Sequence, residues 1–276
     1  MSGRLEGRVA LVSGSGRGIG RAVAMRLARE GAAVVVNDLD DAPGQAVAEE
    51  IRSGGGRAAA CNGDVGAKDF AERFVSTAVE EFGGLDIIVN NAGFTWDAVI
   101  QKMSDDQFDA ILDVHLKAPF RILRAASEYI RVTAKAEAQS GTPRCRKVVN
   151  VSSIAGLYGN AGQANYAAAK AGVIGLTRTM AKEWGRYNVT VNCVAFGLIA
   201  TRLTQQLGDE GASIKVGERD ISVGLHERTL AGIRATIPLG REGTPEEAAN
   251  AVYMLCSPDS DYVSGQVLEV TGGVRF

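Results

Sequence analysis

A single doubly wound α/β domain, with a seven-stranded parallel sheet and helices on both faces, is the fold this sequence predicts. Three observations predict it. Short β-branched runs alternate with helical stretches along the whole chain, a pattern that builds strand–helix crossovers rather than hairpins. Most of those runs are apolar without polar alternation, as expected of strands buried on both faces. A glycine-rich turn joins the first strand to the first helix, where an open α/β sheet forms its ligand crevice.

In chain order, strands are expected at residues 8–12, 33–37, 58–61, 86–90, 147–152, 189–195 and 267–270. Between them, helices are expected near residues 19–30, 45–52, 68–82, 105–138, 164–183 and 245–257. Gly31 stands where the first helix would end. Two helix starts carry capping boxes, Ser104 with Gln107 and Thr244 with Glu247, the second with Pro245 at the first helical position. Residues 133–147 (TAKAEAQSGTPRCRK) read as a surface loop extending the long fourth helix. Residues 201–243 are long, mixed in charge and weakly periodic, and they follow a strand's carboxyl end; a substrate lid is expected there. No linker divides the chain, so residues 1–276 read as one domain.

Composition narrows the function. With 46% hydrophobic residues, 22% charged residues and a net charge of −2, the chain reads as a soluble globular protein. It has no basic excess, and nucleic acid is not an expected partner. Cys61, Cys145, Cys193 and Cys256 are widely spaced, as are His115 and His226, so no metal-ligand spacing exists and no metal is expected. The opening MSGRLEGRVALVSG lacks the apolar core of a signal peptide, and no apolar run approaches the length of a membrane span. A cytoplasmic location is expected.

The glycine turn reads Ser13-Gly14-Ser15-Gly16-Arg17-Gly18-Ile19-Gly20. Glycines at 14, 18 and 20 let the backbone turn sharply and approach a pyrophosphate, whose charge is favoured at a helix N-terminus. The second strand ends at Asp38, 24 residues after Gly14. A carboxylate there accepts hydrogen bonds from ribose hydroxyls and repels a 2′-phosphate, which favours NAD(H). Arg17 points the other way, since a cation in the turn can pair with that phosphate, and it leaves NADP(H) open. Asp64 and Val65, just past the third strand, are placed to reach the adenine.

At the other end of the crevice, Asn90-Asn91-Ala92-Gly93 closes the fourth strand and Asn150-Val151-Ser152-Ser153 the fifth. Ser153 precedes Tyr166 by thirteen residues, and Lys170 follows Tyr166 by four, one helical turn later. A Tyr–Lys pair at this spacing also arises by chance on helix surfaces. Taken in order with SGSGRGIG, Asp64-Val65 and NNAG, these residues resemble the short-chain dehydrogenase/reductase family over essentially the whole chain, and imply a Rossmann-type fold.

The resemblance implies roles residue by residue. Tyr166 would be the general acid in reduction and the base in oxidation, with Lys170 favouring the phenolate and holding the nicotinamide ribose. Ser153 would hydrogen-bond the substrate oxygen. Asn91, Ala92, Gly93, Gly197, Ile199 and Thr201 would complete the cofactor site.

Two departures stand out. Where the family has an asparagine whose main-chain carbonyl holds a relay water, this chain has His115, within Asp113-Val-His-Leu-Lys-Ala-Pro119. Pro119 has no N–H to give the carbonyl of residue 115, so that carbonyl is available whatever the side chain. His115 is therefore expected in the relay, against the alternative of a structural kink. Phe196 replaces the proline usual before Gly197.

Within the family, the chain resembles 3-oxoacyl-thioester reductases and 3-hydroxyacyl-CoA dehydrogenases. The implied substrate is an acyl thioester or another small ketone or secondary alcohol, a steroid included; a catalytically weak dinucleotide-binding regulator is the alternative of a different class. In the lid, Arg202, Lys215, Arg219, Arg228 and Arg234 could meet thioester phosphates, but Asp209, Glu210, Glu218, Asp220 and Glu227 balance them. The resemblance also implies a homotetramer, and with no long apolar run no membrane partner is expected.

Overall fold

The computed structural model describes residues 3–202, 204, 212–216, 219–224 and 227–274. Its elements run β1 (Val9–Val12), α1 (Gly18–Arg29), β2 (Ala33–Val36), α2 (Asp41–Ser53), β3 (Arg57–Ala60), α3 (Phe70–Phe82) and β4 (Ile87–Asn90). Then follow α4 (Asp105–Leu112), α5 (Ala118–Ser140), β5 (Arg146–Ser153), α6 (Ile154–Tyr158), α7 (Ala164–Trp184) and β6 (Val189–Phe196). The chain closes with β7 (Ala212–Val216), β8 (Arg219–Val223), α8 (Glu227–Ala235), α9 (Pro245–Cys256) and β9 (Val267–Val270). Asp209, Glu210, Glu218 and His226 lie outside the described residues.

Seven strands form one parallel sheet in the order β3-β2-β1-β4-β5-β6-β9. The order reverses between β1 and β4, and the crevice opens at their carboxyl ends. Alternate strand residues face two cores. Ala10, Val12, Val34 and Val36 pack with Val23, Leu27 and Val252 of α1 and α9, while Val9, Leu11 and Val35 pack with Phe74, Ile122 and Ala126 of α3 and α5. Both faces being covered, every residue of β1 and β2 is buried, which is why these runs show no polar alternation. Among the described residues, no helix is long and apolar enough to cross a membrane.

Three expectations need correction. The expected fourth helix is not continuous: α4 and α5 are joined by a π-helical turn over Asp113–Lys117, in which Ala118 N–H bonds the carbonyl of Asp113. Pro119 cannot continue the regular ladder, and a wider turn takes up the difference. Of the segment 133–147, residues 133–140 belong to α5, in keeping with a helix expected to residue 138, and the loop is shorter than expected. Ala134-Lys-Ala-Glu-Ala138 are strong helix formers, and the helix stops only at Gly141, with φ +73°. Glu137 there receives both guanidinium branches of buried Arg146 at 2.6 and 2.9 Å, tying the helix end to β5. Within residues 201–243, where the sequence showed only weak periodicity, the described residues hold an antiparallel hairpin, β7–β8, and the helix α8.

Candidate active site

β1 delivers the chain into the glycine turn at the sheet's reversal. Gly14 and Gly18 have φ of +62° and +52°, the left-handed region that glycine enters freely. A Cβ at Gly14 would lie 2.7 Å from Ala92 Cα, and one at Gly20 would strike the Gly14 carbonyl and the Asn91 side chain. The turn is zipped to the end of β4. Ser13 Oγ accepts from the N–H groups of Asn91 (3.0 Å) and Ala92 (3.1 Å), and Asn91 Nδ2 donates to the carbonyls of Ser13 and Gly14, both at 3.0 Å. Ile19 packs against the core below. The first turn of α1 has no acid and no side-chain cap, so its N–H groups present positive potential to an anion. Backbone without side chains beside an uncapped helix start is a cradle that suits a pyrophosphate.

Asn37, which sequence reasoning passed over, braces the cradle. Its Oδ1 accepts from Gly14 N–H at 3.0 Å, and its Nδ2 donates to the carbonyls of Cys61 and Gly63, both at 3.1 Å. Asp38 is buried beside the turn, with Arg17 Nη1 3.2 Å from its Oδ1. Val65 is buried, but Asp64 is exposed and turns inward on its own loop, accepting from Gly66 N–H at 2.7 Å.

β5 ends at Ser153, whose Oγ caps α6 by accepting from Ala155 N–H at 3.2 Å. α7 then carries Tyr166 and Lys170 past it. A Cβ at Gly156 would press on the Lys170 backbone at 2.6 Å, so glycine there lets α6 and α7 close together. Lys170 is buried; its Nζ donates to the Val151 carbonyl at 2.6 Å and sits 5.6 Å from the Tyr166 ring centroid. The N-terminus of α7 is locked to the loop after β4 by side chains the sequence reading missed. Asn165 Nδ2 donates to the carbonyl of Trp96 at 3.0 Å, and Gln163 Nε2 donates to Asp97 Oδ2 at 2.8 Å. Their only signal was position, immediately flanking Tyr166.

In the chain without cofactor, burial dominates the electrostatics of Tyr166. Desolvation pushes its pKa up to about 12; the Ser153 hydrogen bond pulls it down and the Asp97 charge raises it further. Burial also brings Lys170 down to about 8. In this state Tyr166 is held as the neutral phenol, while Lys170, although lowered, still carries its charge at neutral pH.

His115 lies in the π-helical turn and is 3% exposed. Its ring meets Tyr166 edge-on, with centroids 5.0 Å apart and planes at 82°. Nε2 lies 2.7 Å from the Phe94 carbonyl and 3.2 Å from its N–H, and the shorter contact favours the tautomer that donates to the carbonyl. Nδ1 is buried without a hydrogen-bond partner among the described residues. Burial, and then the Lys170 charge, hold the imidazole neutral well below its ordinary pKa.

Beyond β6, Gly197 N–H bonds the Val270 carbonyl at 3.0 Å, and Ile199 is buried opposite Gly243. Thr201 crosses back to the glycine turn: its methyl would lie 3.6 Å from a Cβ on Gly18. Phe196 ends β6 in register with Ser153 and buries its ring with Ile199, so a core contact stands where the proline was expected. Close contacts thus link the glycine turn to Asn91, Ala92 and Thr201, and His115 to Gly93 and Tyr166, while Asp64 is directed to its own turn. Among the described residues, no group of three His, Cys, Asp or Glu is placed to hold a metal.

Comparison with known proteins agrees with this geometry. A family model described as Enoyl-(Acyl carrier protein) reductase matches residues 14–275. The chain is 40% identical over 270 residues to the 3-oxoacyl-(acyl-carrier-protein) reductase FabG of Vibrio cholerae, covering 98% of each protein. It is 36% identical over 271 residues to the FabG of Thermotoga maritima, covering 98% of this chain and 99% of that one. The short-chain reductase protein NovJ of Streptomyces niveus is 40% identical over 265 residues, with 96% and 93% covered. The crystal structure of a dehydrogenase/reductase from Sinorhizobium meliloti 1021 superposes with a TM-score of 0.82 at 32% identity, covering 98% of this chain and 95% of that one. Relatedness that spans nearly the full length, over a site built in this way, places the chain in the short-chain dehydrogenase/reductase family of NAD(P)-dependent oxidoreductases.

Proposed function

We propose that the chain interconverts 3-oxoacyl and 3-hydroxyacyl thioesters with NAD(H) as its preferred cofactor. The observation that carries this reading is the placement of Ser153, Tyr166 and Lys170 at the carboxyl end of β5, across the crevice from the glycine cradle. The cradle fits a dinucleotide, because Gly14 and Gly20 let the turn close tightly against Ala92 and Asn91 and leave the uncapped N-terminus of α1 to face an anion. Bound there, the nicotinamide supplies the hydride. Tyr166 Oη then gives its proton to the substrate oxygen as that oxygen gains alkoxide character, and Ser153 Oγ–H donates a hydrogen bond to the same atom. Lys170 holds the ribose, and the carbonyl of His115, which Pro119 cannot reach with an N–H, anchors the water through which Tyr166 recovers its proton.

Gly18, Ile19, Asn91, Ala92, Gly93, Gly197, Ile199 and Thr201 surround the cofactor; Val65 packs beneath the adenine. Asp38 supports NAD(H), since a buried carboxylate at the end of β2 would repel a ribose 2′-phosphate. Among the relatives, the reductases named for 3-oxoacyl carrier substrates support the thioester. An apolar wall supports an acyl chain: Phe94, Trp96 and Tyr166 pack with Ile221 of the β7–β8 hairpin, and this packing supports the hairpin as the lid. A cytoplasmic homotetramer completes the reading.

The test is NADH consumption by the purified chain with acetoacetyl-CoA and longer 3-oxoacyl thioesters. Turnover is expected, falling by about 10²- to 10⁴-fold in Tyr166→Phe. Cofactor binding without turnover on any ketone would instead favour the regulatory protein.

A further inference from the structure

The glycine turn carries a cation that the surrounding acids do not leave free. Arg17 Nη1 lies 3.2 Å from Asp38 Oδ1, and Nη2 lies 2.9 Å from Asp40 Oδ2. The two acids are themselves linked, because the N–H of Asp40 donates to Asp38 Oδ1 at 3.1 Å. A Cβ on Gly16 would strike the Asp38 carboxylate, which therefore rests directly on the turn. Two carboxylates and one guanidinium leave a net negative charge at the end of β2. A guanidinium recognises a phosphate by presenting two parallel N–H donors, and here both branches are already engaged.

We propose that Asp40 is a cofactor-specificity residue, which acts by holding the second branch of Arg17 and so withholding the guanidinium from a ribose 2′-phosphate. The inference rests on the dinucleotide reading of the turn and deepens it. Asp38 excludes the phosphate by its own charge; Asp40 removes the one neighbour in the turn that could compensate. The two effects differ in what releases them. Replacing Asp38 removes a ribose acceptor together with the repulsion, whereas replacing Asp40 frees the second guanidinium branch of Arg17 and leaves the ribose acceptor in place. The Asp40 side chain is 56% exposed, so its ion pair adds little to folding and the substitution leaves the domain intact.

The test is calorimetric titration with ADP and with 2′,5′-ADP, which carry two phosphates each, as a 5′-diphosphate in the first and as separate 2′- and 5′-monophosphates in the second. It compares the wild-type chain, Asp40→Asn, Arg17→Ala and the double variant. In Asp40→Asn the affinity for 2′,5′-ADP relative to ADP is expected to rise about tenfold at low salt, and to shrink as salt is added. In the double variant the gain is lost, because the freed cation is gone. A ratio unchanged by Asp40→Asn overturns the inference, as does a gain that persists without Arg17, which would mark simple removal of charge. If the wild-type chain binds neither nucleotide, the dinucleotide reading falls as well; ADP binding with an unchanged ratio sinks the Asp40 role alone.

Discussion

His115 and Gly93 share one space. A Cβ on Gly93 would stand 2.8 Å from Nδ1 and 3.0 Å from Nε2 of the imidazole, closer than atoms can pack. The glycine that closes the β4 turn is thus fitted to the ring that braces Phe94 and borders Tyr166. Gly93→Ala is expected to push the ring aside and cost about 1–3 kcal/mol, the usual range for overpacking. Urea denaturation measures it. The cost should shrink when His115→Ala is added, since the two changes share a contact and are not additive; fully additive effects would contradict the shared space.

The π-helical turn gives Pro119 a role that substitution can isolate. Pro119→Ala restores an N–H that can bond the carbonyl of residue 115 and draw the turn toward regular α-helix. Turnover should slow several-fold while cofactor affinity and melting temperature hold. His115→Asn should retain activity, because an amide can still donate to the Phe94 carbonyl and the main-chain carbonyl is unchanged. A silent Pro119→Ala would remove the case for the relay.

The parts of this site legible in the sequence are those where chemistry demands a residue type at a fixed spacing. Gly14, Gly18 and Gly20 had to be small, and Ser153, Tyr166 and Lys170 had to stand at intervals set by a strand end and a helical turn. What stayed hidden depends on conformation. Pro119 announced a missing N–H but not that Asp113–Lys117 would widen into a π-helical turn. The engagement of Arg17 by Asp40 follows from how residues 38–41 bend, which composition does not specify. The hairpin consists of two five-residue strands paired only with each other, too short for a clear period. The direction of the Tyr166 shift is set mainly by burial, and burial belongs to the fold rather than to the Tyr–Lys spacing.

The hairpin makes a prediction about substrate choice. Ile221 is 1% exposed and packs with Phe94, Ile111 and Ala169, next to Tyr166. On the described positions of the hairpin, Ser213 and Lys215 are exposed and Val216 is half-buried, so one face is turned to the site. Ile221→Ala opens apolar volume beside the proton donor. The ratio of kcat/KM for long over short 3-oxoacyl thioesters should rise about 5- to 50-fold, as one to three lost methylenes allow. An unchanged chain-length profile would show that the acyl group lies elsewhere.

Lys170 makes the chain's stability depend on pH in a window that can be assigned. Its folded pKa is lowered to about 8 from 10.5 because burial penalises the ammonium. Between those values the unfolded chain binds more protons than the folded one, so stability rises with pH across the window. Stability from this group is present above the unfolded value and lost as pH falls through about 8. Cys193, raised to about 11, and Tyr166, raised to about 12, act in the opposite sense and at higher pH, so the wild-type curve alone would blur the effect. Subtracting Lys170→Met from wild type isolates it. At pH 7 the variant should be more stable by roughly 2–3 kcal/mol, and the difference should close as pH approaches 10.5. Denaturant midpoints at several pH values test this, and NADH turnover should be lost in the same variant. That combination, a more stable protein that no longer works, is expected of a buried cation kept for function. A variant less stable at pH 7, or a difference flat in pH, would mean that the Val151 carbonyl and the fold around it fully offset the burial of the charge.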